Sequence, residues 1–226
     1  MNNSFIALLI AHLVADFFLQ TDKLCRDKSK KGFVSAALYL HVGIVFATVF
    51  VALLLCKHSV TDVWPILVIV TLSHGVLDGT KSHLNKKYPD KESLFFFTDQ
   101  LIHIGIIAYL TWNFTDPVNR GVLYLMGYLI CFKPANILIK NIIRNYIKIE
   151  GDNKEDLPNA GKLIGLAERT ITLTLVLLGQ FEAIGFLIAA KSILRYGEKT
   201  QQTEYVLIGT LLSFGIAIVV GCMVQL

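Results

Sequence analysis

Three histidine–aspartate pairs at a spacing of four stand inside apolar stretches: His12 with Asp16, His74 with Asp78, and Asp99 with His103. A further histidine, His41, stands alone in another apolar run. On a helix, residues four apart lie on one face a turn apart, so each pair points its imidazole and its carboxylate the same way. Gln20 extends the first pair into a stripe. Ionisable side chains inside a bilayer are costly and mark ligand sites, proton relays or ion pathways. Imidazole with carboxylate is a donor set for zinc, iron or manganese. Four histidines and three aspartates exceed what one tetrahedral ion needs, since catalytic zinc keeps three protein ligands and one open position. The surplus suits a second ion, a general base, or carboxylates that orient imidazoles. Bound metal brings the pKa of water to about 7 and so makes a hydrolytic nucleophile. Lys81 and Gln20 are placed to meet an anionic head group or phosphate at the mouth of such a site. Three readings stay open: metal-centred hydrolysis, a proton or ion pathway, and hydrogen-bonded glue between helices. For His41 alone the last is as natural as the first. His58 and His83, at span ends, read as interfacial or solvated.

The elements that must position these residues are membrane spans. The chain is 54% hydrophobic and 17% charged, with a mean hydropathy of +0.58, whereas ordinary soluble domains are about 25% charged. Spans need about 20 mostly apolar residues. They are expected from about Ser4 to Gln20, Phe33 to Cys56, Trp64 to Leu84, Leu94 to Asn113, Gly121 to Tyr146 and Tyr205 to Met223. Lys133 and Pro134 predict a kink or an early end in the fifth. Between Lys162 and Tyr196 the apolar stretch is long for one span and short for two, with Gly179 and Gln180 at its middle. It reads as a bent pair or as a span with a re-entrant helix. The expected fold is therefore an all-α polytopic transmembrane bundle of about seven to eight helices. Residues 1–115 would form a four-helix His/Asp core, and residues 116–226 the C-terminal helices of the same membrane domain. The apolar N-terminus lacks a basic leader and reads as a retained span.

Lys and Arg cluster after the first, third and fifth spans, which puts the N-terminus outside by the positive-inside rule. Counted from the cytoplasmic end of each span, His12, His41, His74 and His103 then lie about 8–10 residues in, some 12–15 Å deep at roughly 1.5 Å per residue. Asp16, Asp78 and Asp99 lie about 4–6 residues in, some 6–9 Å deep. The order within the pair reverses, Asp before His, in the span that runs outward. The matched levels predict one layered site.

A second polar set comprises Glu168, Arg169, Gln180, Glu182, Lys191 and Ser192. Interhelical pairing accounts for most of it, and Arg169 and Lys191 are the candidates for substrate contact. Cys25, Cys56, Cys131 and Cys222 are too scattered for a zinc finger or disulfide framework. The net charge of +4 follows from topology and does not point to nucleic acid. Gly161-Lys162 and Gly197-Glu198 lack the rest of a phosphate-loop pattern. No internal repeat of the transporter kind is evident.

The segments HLVADFFLQTDKL, HGVLDGTK and DQLIH, with the isolated His41, resemble a bacterial membrane-protein family, domain of unknown function 3307, over about the first 115 residues. The stretch GKLIGLAERTITLTLVLLGQFEAIGFLIAAKSILRYGE is similar to the C-terminal region of its longer members. The first half also resembles, distantly, membrane-bound metal-dependent hydrolases. Together these imply a multi-pass protein of the bacterial cytoplasmic (inner) membrane. The expected activity is hydrolysis of a lipid or lipid-linked substrate at the cytoplasmic leaflet. Asp16, Asp78 and Asp99 would be catalytic, and His12, Asp16, His41, His74, Asp78, Asp99 and His103 would hold a divalent metal, zinc before others. Gln20, Lys81, Arg169 and Lys191 would contact substrate. Membrane lipids are the expected partners, with a homo-oligomer left open. A proton- or ion-coupled transporter and a non-catalytic sensor or anchor are the alternatives.

Overall fold

The apolar runs fold as helices whose ends fall on capping residues and glycines. The computed structural model describes residues 2–146, 160–194 and 201–225, and among them every regular element is helical. Helix α1 (Asn3–Leu13) is capped by Asn2, whose side chain accepts the Phe5 amide at 2.8 Å. It runs on as a π-helical turn, Val14–Leu19, and stops where Gln20 turns extended. Thr21 then caps α2 (Asp22–Lys31), which heads off at 90° to the preceding helix. Gly32 ends α2 at φ +60°, a conformation that favours glycine.

Helix α3 (Ala36–Leu55), α4 (Val60–Lys87) and α5 (Glu92–Leu110) follow. With α1 they enclose an apolar core that includes Leu8, Val45, Val49, Leu53, Leu67 and Ile107. Two glycines of α4 let neighbours approach closely. A Cβ on Gly75 would sit 2.9 Å from a Val42 methyl, and one on Gly79 would sit 2.2–2.7 Å from the Phe33 ring.

Helix α6 (Arg120–Cys131) is broken from α7 (Lys133–Tyr146) at Phe132. Pro134 occupies the first turn of α7, where its missing N–H costs no hydrogen bond, and of the kink or early end expected near it the break at Phe132 is the kink, since the span runs on to Ile143. Helix α8 (Ala160–Leu177) and α9 (Phe181–Leu194) meet at a turn centred on Gly179, φ +71°. This break falls where the 162–196 stretch was expected to bend. Helix α10 (Gln201–Gln225) is the last of the described elements.

The chain divides into two compact units, Met1–Met126 and Gly127–Leu226. Within the second, α8 and α10 pack around Cys131, Leu173, Ala217 and Val220. A Cβ on Gly221 would lie 2.6 Å from a Val176 methyl.

Among the described residues, five helices are long and apolar enough to cross a membrane: Ala36–Leu55, Thr61–Lys87, Pro89–Leu110, Arg120–Ile143 and Leu207–Gln225. The bent pair Asn3–Leu19 and Asp22–Val34 makes a sixth if it counts as one span. Many large apolar side chains face outward. Tyr109 and Trp112 are each 82% exposed, an arrangement that suits lipid and not water.

Candidate functional site

All seven ionisable residues singled out in the first four apolar segments converge inside the first unit. His12, His41, His74, Asp78, Asp99 and His103 are buried, and the Asp16 side chain is 7% exposed. The helices explain the convergence. The turn at His12–Asp16, His41 in the second turn of α3, the His74–Asp78 face of α4 and the Asp99–His103 face of α5 all look inward.

The tightest knot joins three helices. His41 Nε2 lies 3.0 Å from His74 Nε2, and Asp16 Oδ1 lies 3.2 Å from each of those nitrogens. Asp78 Oδ2 stands 3.4 Å from His41 Nε2 and 4.0 Å from His74 Nε2. A tetrahedral zinc with ligands at roughly 2.0–2.1 Å requires donor–donor edges of about 3.3–3.4 Å. The knot therefore has the donor types and nearly the spacing of a metal cage. Two donor groups close enough to hold a cation overlap at His74, namely His12, Asp16, His74 and His41, His74, Asp78.

The imidazoles form a continuous cluster. Ring centroids are 5.1 Å apart for His41–His74, 4.2 Å for His74–His103 and 5.0 Å for His103–His12. His103 Nδ1 lies 2.8 Å from the Asp99 carbonyl oxygen. A carbonyl only accepts, so Nδ1 carries the proton and Nε2 presents a lone pair in the neutral ring. That Nε2 is buried and has no partner among the described residues. His12 Nε2 meets Gln100 Oε1 at 3.2 Å. A cavity of about 10 Å³ lies against His12, His74 and His103, with Val45, Val49 and Ile107 around it, and is of the order that one water needs.

Two lysines cover the aspartates. Lys81 Nζ reaches Asp99 Oδ2 at 2.6 Å and Asp78 Oδ1 at 3.4 Å. Lys28 comes from α2 and donates to Asp78 Oδ2. Three carboxylates against two ammonium groups leave one negative charge while the imidazoles are neutral, so the core has room for added positive charge.

Lys28 and Gln100 are the two members that sequence reasoning missed. Lys28 reads as one of several basic loop residues. The available signal is that it follows Leu24 by four positions on α2, which gives both the same helical face. Among the α2 residues only Lys28 is buried.

The remaining expected substrate contacts are Gln20, Arg169 and Lys191. Gln20 sits at the end of the π-helical turn, with a buried amide nitrogen that has no partner among the described residues. Arg169 and Lys191 belong to the second unit. Arg169 is 1% exposed and donates to the Cys131 carbonyl, Ser213 Oγ and Asn136 Oδ1. Lys191 pairs with Glu168. Both therefore tie helices together within that unit. His83 is exposed. His58 instead meets Ser4 Oγ at 2.5 Å and stacks on Phe114, while the Ser4 hydroxyl and amide donate to Asp116 Oδ2.

No curated protein and no solved structure matches the chain. Residues 4–126 do match a family, and they contain every member of the buried histidine–aspartate core. The chain belongs to the family described as protein of unknown function (DUF3307).

Proposed function

We propose that the first unit is a divalent-metal centre of a membrane hydrolase, with zinc as the preferred ion and a lipid or lipid-linked molecule as substrate. The observation that carries this reading is the 3.0–3.2 Å spacing of His41 Nε2, His74 Nε2 and Asp16 Oδ1. These atoms would hold the ion, and Asp78 would complete the set. The ion, when bound, would supply a water acidic enough to ionise near neutral pH. His103 and His12 border the small cavity and would accept or hold a proton there. Asp99 orients His103 through its carbonyl and anchors Lys81. Lys81 and Gln20 would meet the head group at the mouth of the site. In this reading the N-terminus is outside, the lysine-covered end faces the cytoplasmic leaflet, and the host membrane is a bacterial inner membrane.

Metal analysis of protein purified in detergent tests the centre. About one ion per chain, lost in His74→Ala and in Asp16→Asn, is the expected result. Incubation of the loaded protein with extracted membrane lipids, followed by mass spectrometry, tests the hydrolysis. Absence of metal from the wild-type protein after zinc supplementation would overturn the reading.

A second reading, proton- or ion-coupled transport, draws on a different observation. The carboxylates are covered by Lys28 and Lys81, and the cavity beside the histidines is of single-water size. Flux into proteoliposomes that Asp16→Asn or Asp78→Asn abolishes, with no lipid turnover, would favour it.

A further inference from the structure

We infer that Lys28 is a latch, an ammonium group carried on a short helix at the end of the site, which contends with a divalent cation for Asp78. The inference rests on the cation-site reading and adds the regulation of that site.

Lys28 donates to Asp78 Oδ2, the same oxygen that stands 3.4 Å from His41 Nε2. A cation held by the His41–His74–Asp16 knot would draw on that oxygen. A second positive charge fixed on it disfavours the first. The two lysines are not equivalent in this contest. Lys81 has a second carboxylate, Asp99, at 2.6 Å besides Asp78 at 3.4 Å. Among the described residues, Asp78 is the carboxylate that Lys28 pairs with. Lys28 is therefore the group that a cation displaces.

The carrier is built to respond. Helix α2 has ten residues, and Lys28 is the side chain it buries. It leaves the preceding helix at a 90° bend, with Gln20 extended at one end and Gly32 at φ +60° at the other. Beyond Gly32 the Phe33 ring is seated on Gly79 of α4, and Ser35 Oγ donates to Asp27 Oδ2 at 2.6 Å. The C-terminal side of α2 is thus tethered, and the Lys28–Asp78 pair holds down the face toward the core. Withdrawal of Lys28 frees α2 to swing on its tether and uncovers the aspartates. Coupling of this kind is reciprocal: whatever weakens the latch strengthens cation binding.

The test uses the full chain, with its cysteines replaced and spin labels at Arg26→Cys on α2 and Lys86→Cys on α4, both exposed positions. Pulsed electron–electron distances are recorded with and without zinc. A narrow distribution that broadens on zinc addition is expected for the parent, a broad one without zinc for Lys28→Met, and a narrow one for Lys28→Arg. Zinc affinity, measured by calorimetry, is expected to rise about tenfold in Lys28→Met. A narrow distribution in Lys28→Met overturns the latch, as does bound zinc that leaves the parent distribution unchanged. Failure of zinc to bind the parent overturns the cation contest, and the Lys28→Met distances then report on the latch by themselves.

Discussion

His41 Nε2 and His74 Nε2 face each other at 3.0 Å, with Asp16 Oδ1 at 3.2 Å from both. Two imidazole nitrogens cannot share that distance with a lone pair on each, so a proton or a cation must mediate the contact. His74 belongs to both donor groups and His41 to one. His74→Ala is therefore expected to abolish zinc binding, and His41→Ala to weaken it by about tenfold or more, as loss of a ligand or its support does. Calorimetry on the purified variants checks the order.

The aspartates depend on Lys81. Removing one partner of a buried ion pair typically costs about 3–5 kcal/mol, because the other charge is left uncompensated. Lys81 is 22% exposed at its side chain, so the lower end of that range is expected for Lys81→Met. The double variant Lys81→Met/Asp99→Asn should recover part of the loss. Thermal unfolding in detergent reads both.

Gly79→Ala would push a methyl into the Phe33 ring, where no ordinary contact distance remains. Overpacking of this kind costs about 1–3 kcal/mol. Phe33→Leu in the Gly79→Ala background should restore part of it. Gly75→Ala should cost less, because the atom it meets is a Val42 methyl at 2.9 Å. Denaturation midpoints of the variants check this ranking.

Arg169 is expected to act as a structural tie. Arg169→Lys cannot reproduce three hydrogen bonds spread over the Cys131 carbonyl, Ser213 and Asn136. It should lower the unfolding temperature and leave the zinc content of folded protein unchanged. Retained stability with lost lipid turnover would instead make Arg169 a substrate contact.

Much of this site is legible from spacing. The four-residue separation of each His/Asp pair set the faces of α1, α4 and α5, and the matched depth predicted the convergence of His41 with them. The all-helical build and the break at Phe132, just ahead of Pro134, follow from hydropathy and from proline's missing donor. Lys28 was not legible, because a lysine in a basic loop has the same appearance whether it is solvated or turned inward. Only the 90° bend that brings α2 against α4 separates the two cases. The roles of Gly75 and Gly79 were likewise hidden, since a glycine shows its purpose only when the neighbouring Val42 and Phe33 are in place. Arg169 read as a candidate contact because sequence shows its charge and not the oxygen atoms that surround it.

The π-helical turn at Val14–Leu19 has a rotational meaning. Each residue of an α-helix turns the chain by about 100°, so a widened turn that absorbs one extra residue holds everything after it about 100° from where an unbroken α-helix of the same residues would carry it. Asp16 lies within the turn, and Gln20, the bend and α2 lie beyond it. One surplus residue thus sets the compass heading on which the chain leaves the bundle. Forcing the same residues into regular α-helix would act as a misdirection, sending α2 out over a different face with Lys28 turned away from Asp78, whereas deleting one of them would let an ordinary α-turn keep the heading.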